Sequence, residues 1–480
     1  MKIHRLFIKT HRILGICLSI LFLMWFVSGI VMMYHTYPRV EKEQALAFAE
    51  DIDTVLLPIQ NLVEELPLRD PVKSISLNKR AGENVIRIST EEEEFLLNAR
   101  TGLPIGKFSS GQLQQIANRW SSGDAMLKDT LNEIDVWLIG AYPFKDFPVY
   151  HYCFPDEEKG ELYLSSRTGD ALQFTTWKSR FWAWVGAIPH WIYVKQFRAH
   201  GRQPWKDIVL WVSGIGILMT LSGIYVGIRS FRIARKKHHT GTPYRKRLFR
   251  WHHLAGLCFG LFTLTWIFSG FMSLAQVPQW ISKVHEPRNV RDEINGSSLA
   301  LDAYRLDCQR ILEQEGIKNL TWTSLGGYPC YKVETEKETY LVDATIPSEV
   351  RRLEVDETFC REMMQRIRGK EVPVEVSLLT EYDNYYISLK NALPLPVYKI
   401  KVRDADKSCY YLDPVDGSCR YFNENTRYRV WMYKGLHCFS TVLFARHHTL
   451  RDVLMWILLL GGCVLSVTGV ILSIRYVSRN

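Results

Sequence analysis

The chain carries 14 histidines, and their placement is uneven. Only His151 and His285 fall within the long polar stretches. The others flank apolar runs or sit in a basic loop. His11 and His252 stand at the entrance of two apolar runs, and His35 stands at the far end of the first. His190 and His437 lie in aromatic segments ahead of two further runs, with His200 and His447 closer to those runs. Imidazole is the commonest biological metal ligand and a frequent axial ligand of haem iron. A bis-histidine haem needs two imidazoles from different helices, on opposite sides of one iron, at one depth. The 24 residues from His11 to His35 span about 36 Å at about 1.5 Å per residue. One helix would therefore carry histidines at both faces of a bilayer. The expectation is two haems, one near each face, forming an electron path.

The elements that must position these rings are apolar helices. Ile13–Tyr34, Ile208–Ile228, Leu254–Ala275 and Val453–Ile474 contain no Asp, Glu, Lys or Arg. Each is long enough for the roughly 30 Å hydrocarbon core of a membrane. The first run is too long for a signal peptide and no A-x-A site follows it, so a retained helix is expected. The net charge of +10 has a location. Residues 1–12 hold four Lys/Arg, residues 229–250 hold nine and residues 475–480 hold two, with no acidic residue among them. This positive-inside pattern places both termini and the basic loop in the cytoplasm. It also removes the case for a nucleic-acid partner, because topology accounts for the high pI of about 9.0.

The sequence echoes itself. At an offset of 241, His11, Gly15, Trp25 and Ser28-Gly29 fall on His252, Gly256, Trp266 and Ser269-Gly270. At 247, Trp184, His190 and His200 fall on Trp431, His437 and His447. At 246, Gly223 and Arg229 fall on Gly469 and Arg475. Pro148-Val149-Tyr150, Tyr163 and Gly169 reappear 248 residues later as Pro396-Val397-Tyr398, Tyr411 and Gly417. The fold class expected is a membrane α-helical protein with four transmembrane helices in two parallel repeats. Each repeat carries an extracytoplasmic α+β domain of antiparallel strands, with helices near 110–119 and 356–368. The divisions are a first span (1–35), an outer domain (36–180), an interfacial segment with the second span (181–229) and a basic loop (230–251). A third span (252–275), a second outer domain (276–430) and an interfacial segment with the fourth span (431–480) follow. Both copies have one orientation, so a pseudo-twofold axis along the membrane normal would set matched histidines face to face.

A juxtamembrane histidine taken singly reads as a headgroup contact; three offset-matched pairs favour ligation. Gly15 and Gly256 follow their histidines by four residues on the same helix face, and either make room for a macrocycle or serve helix packing. Trp25 and Trp266 read as packing residues. At the outer face His35 has no echo, because Gln276 stands at the matching position; its partner could be His190, His437, His200 or His447. His253, His448, His238 and His239 read as bystanders. Seven of the ten cysteines lie in or beside the outer regions, and Cys409 and Cys419 flank a turn across which a disulfide could form. No nucleotide, flavin or catalytic-zinc motif is present, so electrons would come from a redox protein or a membrane quinol.

These residues resemble the PepSY-associated transmembrane family, often called iron-regulated membrane proteins. The resemblance rests on His11-Arg12-Ile13-Leu14-Gly15 running to Ser28-Gly29, and on its echo His252-His253-Leu254-Ala255-Gly256 running to Ser269-Gly270. Pro396-Val397-Tyr398, Tyr411-Leu412-Asp413, Gly417, Trp431 and His437 add to it. The first outer region departs from the pattern, with Ser165-Ser166 where the second has Asp413-Pro414. The resemblance implies PepSY-like outer domains and haem b in the membrane of a bacterial cell, the inner one. It implies electron transfer outward to ferric iron or a ferric siderophore. It makes His11 and His252 inner ligands, and His35, His190 and His437 outer ones. Two other functions compete: a non-catalytic anchored binding protein, and an accessory of iron or siderophore transport. The spans carry no acidic residue, which weighs against transport.

Overall fold

A computed structural model describes the chain except residues 1, 55–56, 122–123, 142, 200, 237–240, 391 and 480. Among the described residues, four helices are long and apolar enough to cross a membrane: Lys2–Met32, Arg202–Lys236, Arg247–Leu274 and His448–Val477. Each continues several residues past its uncharged run at the basic end, because lysine and arginine are good helix formers and carry on the backbone ladder there. The helices form a four-membered ring. The first packs on the second and fourth, and the third packs on the same two, so the first and third lie diagonally opposed. Small residues allow close approach. A methyl group added at Gly462 would come within 2.3 Å of the Phe26 ring, and one at Gly461 within 2.3 Å of Phe259. In lipid such packing replaces the hydrophobic effect as the force between helices.

Among the described residues, fourteen strands lie outside the bundle. The first half of the chain supplies β1 (Ser74–Arg80), β2 (Glu83–Ser89), β3 (Glu94–Asn98), β4 (Met126–Leu131), β5 (Val149–Cys153), β6 (Glu161–Ser165) and β7 (Ala171–Thr175). The second half supplies β8 (Ile317–Leu325), β9 (Tyr328–Thr335), β10 (Thr339–Asp343), β11 (Val374–Leu379), β12 (Val397–Val402), β13 (Cys409–Leu412) and β14 (Cys419–Phe422). Strands β4 to β7 form one four-stranded antiparallel sheet and β11 to β14 another, each in sequence order. Gly169 and Gly417 take positive φ in the turns that close β6–β7 and β13–β14, a conformation that glycine adopts without a Cβ penalty. Helices Ser110–Asn118 and Glu357–Arg368 lie where the sequence places them.

The remaining six strands form a single sheet in the order β10-β9-β8-β1-β2-β3. The sequence reads residues 36–180 and 276–430 as two domains; the structure joins them through β1 and β8. Ile75 lies opposite Trp322 and Leu77 opposite Leu320. Pairing the two edges satisfies backbone groups that an isolated three-stranded sheet would leave open. It also merges the apolar faces into one core of Ile75, Leu77, Ile86, Leu320, Trp322 and Val333. Each such side chain contributes about 1.5–3 kcal/mol when fully buried.

The Cys409–Cys419 disulfide that the turn suggests does not form. Across the β13–β14 hairpin Cys409 pairs with Phe422 and Cys419 with Leu412, so the two cysteines sit at opposite ends of the ladder. Both thiols are free, as are the other eight. The turn residues fixed a hairpin, but its register set the sulfurs out of reach.

Candidate functional site

Among the described residues, the bundle holds two cavities lined by histidines. One lies toward the basic loop, with a volume of about 500 Å³, and is lined by His11 and His252. The other lies toward the sheets, with a volume of about 380 Å³, and is lined by His190 and His437. Both fall in the usual range for a small-molecule site, about 300–1,000 Å³. Between them stands an apolar layer that includes Phe22, Phe26, Met219, Trp266 and Leu459. Phe22 lines both cavities.

At the basic end, His11 comes from the first spanning helix and His252 from the third, the diagonal pair. Their ring centres are 6.1 Å apart. His11 Nδ1 lies 3.1 Å from the Met219 carbonyl, which can only accept, so Nδ1 carries the proton. His252 Nδ1 lies 3.0 Å from Thr468 Oγ1. That hydroxyl donates to the Val464 carbonyl, and so accepts from the imidazole. Gly223 gives His11 its place: a Cβ there would stand 2.6 Å from the ring.

At the sheet end, His190 and His437 ride on short helical segments, Ala187–Trp191 and Leu436–Cys438. Their ring centres are again 6.1 Å apart. His190 Nδ1 lies 3.1 Å from Ser28 Oγ, and His437 Nδ1 lies 3.0 Å from Ser269 Oγ. Each serine donates its own hydroxyl proton to a helix carbonyl, Met24 and Trp266 respectively, and accepts from the ring. The backbone carbonyls of the two histidines accept from Trp25 Nε1 at 2.9 Å and Trp266 Nε1 at 3.1 Å.

All four rings therefore carry the proton on Nδ1 and keep the Nε2 lone pair. No Nε2 among them has a hydrogen-bond partner among the described residues. Anchoring one ring nitrogen to fix the other is how proteins prepare a metal-ligating imidazole. The spacing fits a shared metal. Two metal–nitrogen bonds of about 2.0 Å, plus about 1.1 Å from each nitrogen to its ring centre, give a centroid separation of about 6.2 Å. No group of three or more His, Cys, Asp or Glu side chains is placed to hold a bare ion among the described residues. Two imidazoles would suffice for an iron held by a macrocycle. The glycines suit a flat group: a methyl added at Gly15 would meet no atom within 4 Å, and one at Gly256 only Leu465 at 3.8 Å. The donor set and clearances fit haem.

Of the other histidines, His35 and His447 line neither cavity, whereas His253 borders the basic-end one. His35 stacks on Trp182 at 4.3 Å. His447 is exposed at the start of the fourth spanning helix. His200 falls outside the described residues. His253 has both nitrogens bonded, to Thr242 Oγ1 and the Gly227 carbonyl. Sequence reasoning missed the anchors Ser28, Ser269, Thr468 and Met219. The matched Ser-Gly pairs were visible, but nothing in their spacing said which ring they would meet.

It also missed a matched contact in the sheets. Tyr163 OH donates to Asp135 and stacks on His151 at 4.1 Å. In the second half Tyr411 OH donates to Asp383, with Lys399 Nζ 5.5 Å from the Tyr411 ring centre. These residues are 248 apart, pair by pair. Tyr163 belongs to a core with Ala187 and Ile188, so the first four-stranded sheet packs on the segment carrying His190. Tyr411 belongs to a core with Val430, just ahead of the segment carrying His437. Beside His151, burial alone would raise the Glu161 carboxyl; hydrogen bonds from His151 and Lys128 and the charge of Arg180 outweigh it and hold it at about 2.

The family model for the PepSY-associated TM region matches residues 8–475, and the chain belongs to that family. It is a multi-pass membrane protein with sheet-rich regions outside its spans. No curated protein matches it.

Proposed function

We propose that this PepSY-associated membrane protein is a haem-b reductase of the bacterial inner membrane that passes electrons outward to ferric iron or ferric siderophores. In this reading the two halves are parallel repeats, both termini and the basic loop are cytoplasmic, and the sheets lie on the far side. The observation that carries it is the pair of histidine couples. Each is spaced at 6.1 Å between ring centres, and all four rings have Nδ1 tied back and Nε2 left with its lone pair.

Bound between such rings, haem b supplies one-electron carriage between ferric and ferrous iron. The chain's own residues do the rest. His11 and His252 bind at the cytoplasmic side, and Met219 and Thr468 hold their tautomers. His190 and His437 bind at the outer side, held by Ser28 and Ser269. The Phe22, Phe26 and Trp266 layer excludes water from the space between the sites. Each electron delivered outside converts one ferric ion to ferrous, and one leaves a quinol or redox protein on the cytoplasmic side. Ferrous iron is the softer ion, so a hard oxygen-donor chelator loosens its hold.

The test is purification in detergent from haem-replete cells. Reduced-minus-oxidised difference bands of b type, with about two haems per chain, are expected. Colourless protein from such cells overturns the reading. The activity arm is ferrous release from a ferric siderophore by protein reduced with a quinol analogue.

A further inference from the structure

Apart from their histidines, the two cavities have aromatic, aliphatic and small polar walls, and each contains one charged side chain. At the basic end it is Arg12; at the sheet end it is Arg451. No acidic residue lines either cavity among the described residues. Arg12 holds its guanidinium 4.9 Å from the Tyr476 ring centre and has no carboxylate within ion-pair distance among the described residues. Arg451 donates from Nε to the Cys438 carbonyl at 3.1 Å and from Nη1 to Asp452 at 2.8 Å. Its Nη2 has no acceptor among the described residues. The Arg451 side chain is only 13% exposed.

Arg12 is exposed at the edge of its cavity with no carboxylate to meet it among the described residues. Arg451 is ion-paired with Asp452 but keeps Nη2 without an acceptor among the described residues, so each still has donors to offer an anion. A guanidinium presents a planar fork that matches a carboxylate. The two arginines are not echoes of each other. The position 241 residues after Arg12 is His253, whose ring is fully bonded, and Arg451 sits on the fourth spanning helix rather than the third. Each cavity thus has its cation by a separate route. Arg12 immediately precedes the uncharged run Ile13–Tyr34 and Arg451 lies two residues ahead of the run Val453–Ile474, whereas Phe22, near the middle of the first run, lines both cavities.

We propose that Arg12 and Arg451 are carboxylate anchors. Each fixes the acidic edge of a flat, mostly apolar dicarboxylic ligand toward its membrane face and turns the apolar body toward Phe22. The inference rests on the reading of the ligand as haem b, and adds the orientation and the preference for the free acid.

The test is reconstitution of detergent-solubilised apo-protein with iron protoporphyrin IX and with its dimethyl ester. Arg12→Gln is read in a His437→Ala background and Arg451→Gln in a His252→Ala background, so that each titration reports one cavity. Each Gln variant is expected to bind the free acid about tenfold more weakly than its parent, and the ester as tightly as its parent does. Arg12→Lys and Arg451→Lys are expected to recover part of the loss. An equal loss for both porphyrins reveals a packing role and overturns the inference, as does no loss for either. In both of those outcomes the parent still binds porphyrin, so the haem reading stands. A parent that binds neither porphyrin overturns both.

Discussion

The two histidine pairs share a spacing but not a support. At the basic end both rings rise directly from spanning helices, and both Nδ1 anchors lie on the other two spans, Met219 on the second and Thr468 on the fourth. The bundle alone holds that pair. At the sheet end both rings sit on short segments outside the spans, anchored inward by Ser28 and Ser269 and clamped by Trp25 and Trp266. The first segment also packs on its sheet through Tyr163, and Tyr411 packs with Val430, just ahead of the second. The lesson is that one site is as rigid as four packed helices, while the other inherits the stability of the soluble part. Local opening free energies differ across a molecule in this way, and sites are vulnerable where their supports open.

The bluntest way to break the comparison is ligand removal. His252→Ala should abolish the basic-end haem and leave the sheet-end signal, and His437→Ala should do the reverse; redox titration of the b-type bands separates them. Equal loss of both signals in folded protein would falsify two independent sites. A finer cut uses the glycines beside the rings. Gly223→Ala puts a methyl 2.6 Å from His11, whereas Gly469→Ala puts one 3.5 Å from His252. The first should lower basic-end haem occupancy at least tenfold; the second should leave it near wild type, as measured by haem titration.

Next come the hydroxyl anchors. Ser28→Ala and Ser269→Ala should each weaken sheet-end haem by about tenfold, the usual cost of losing a partner behind a ligating histidine. Neither should move the basic-end site. The smallest effect is on pH. The Glu161 carboxyl is held at about 2 in the folded chain, below the ordinary value near 4.5. A lowered carboxylate contributes stability that is present above the unfolded value and is lost as pH falls toward the folded one. Unfolding of the apo-protein's sheets, followed by tryptophan fluorescence, should become easier between about pH 4.5 and 2. Glu161→Gln should flatten that slope. An unchanged slope in the variant would assign the acid sensitivity to other carboxylates.

The sequence by itself determined the spans, because a bilayer demands long uncharged helices and four runs meet that demand with no acidic or basic residue inside them. It determined the family, through short motifs echoed at fixed offsets. It also suggested two levels for the histidines along the spans, because helical rise converts sequence separation into distance. Tertiary structure decided which rings meet. His190 and His437 sit on segments too short for periodicity to aim them, and only packing against the spans and sheets turns them inward. His35, at a suitable depth, stacks on Trp182 instead. Tertiary structure also joined β1 to β8, a pairing between strands some 240 residues apart that no local pattern encodes. Register likewise separated Cys409 from Cys419, since a hairpin turn does not reveal which rungs its flanking residues occupy. Depth is a one-dimensional quantity that the chain writes along its length; facing is a three-dimensional one, fixed only when every neighbour is in place.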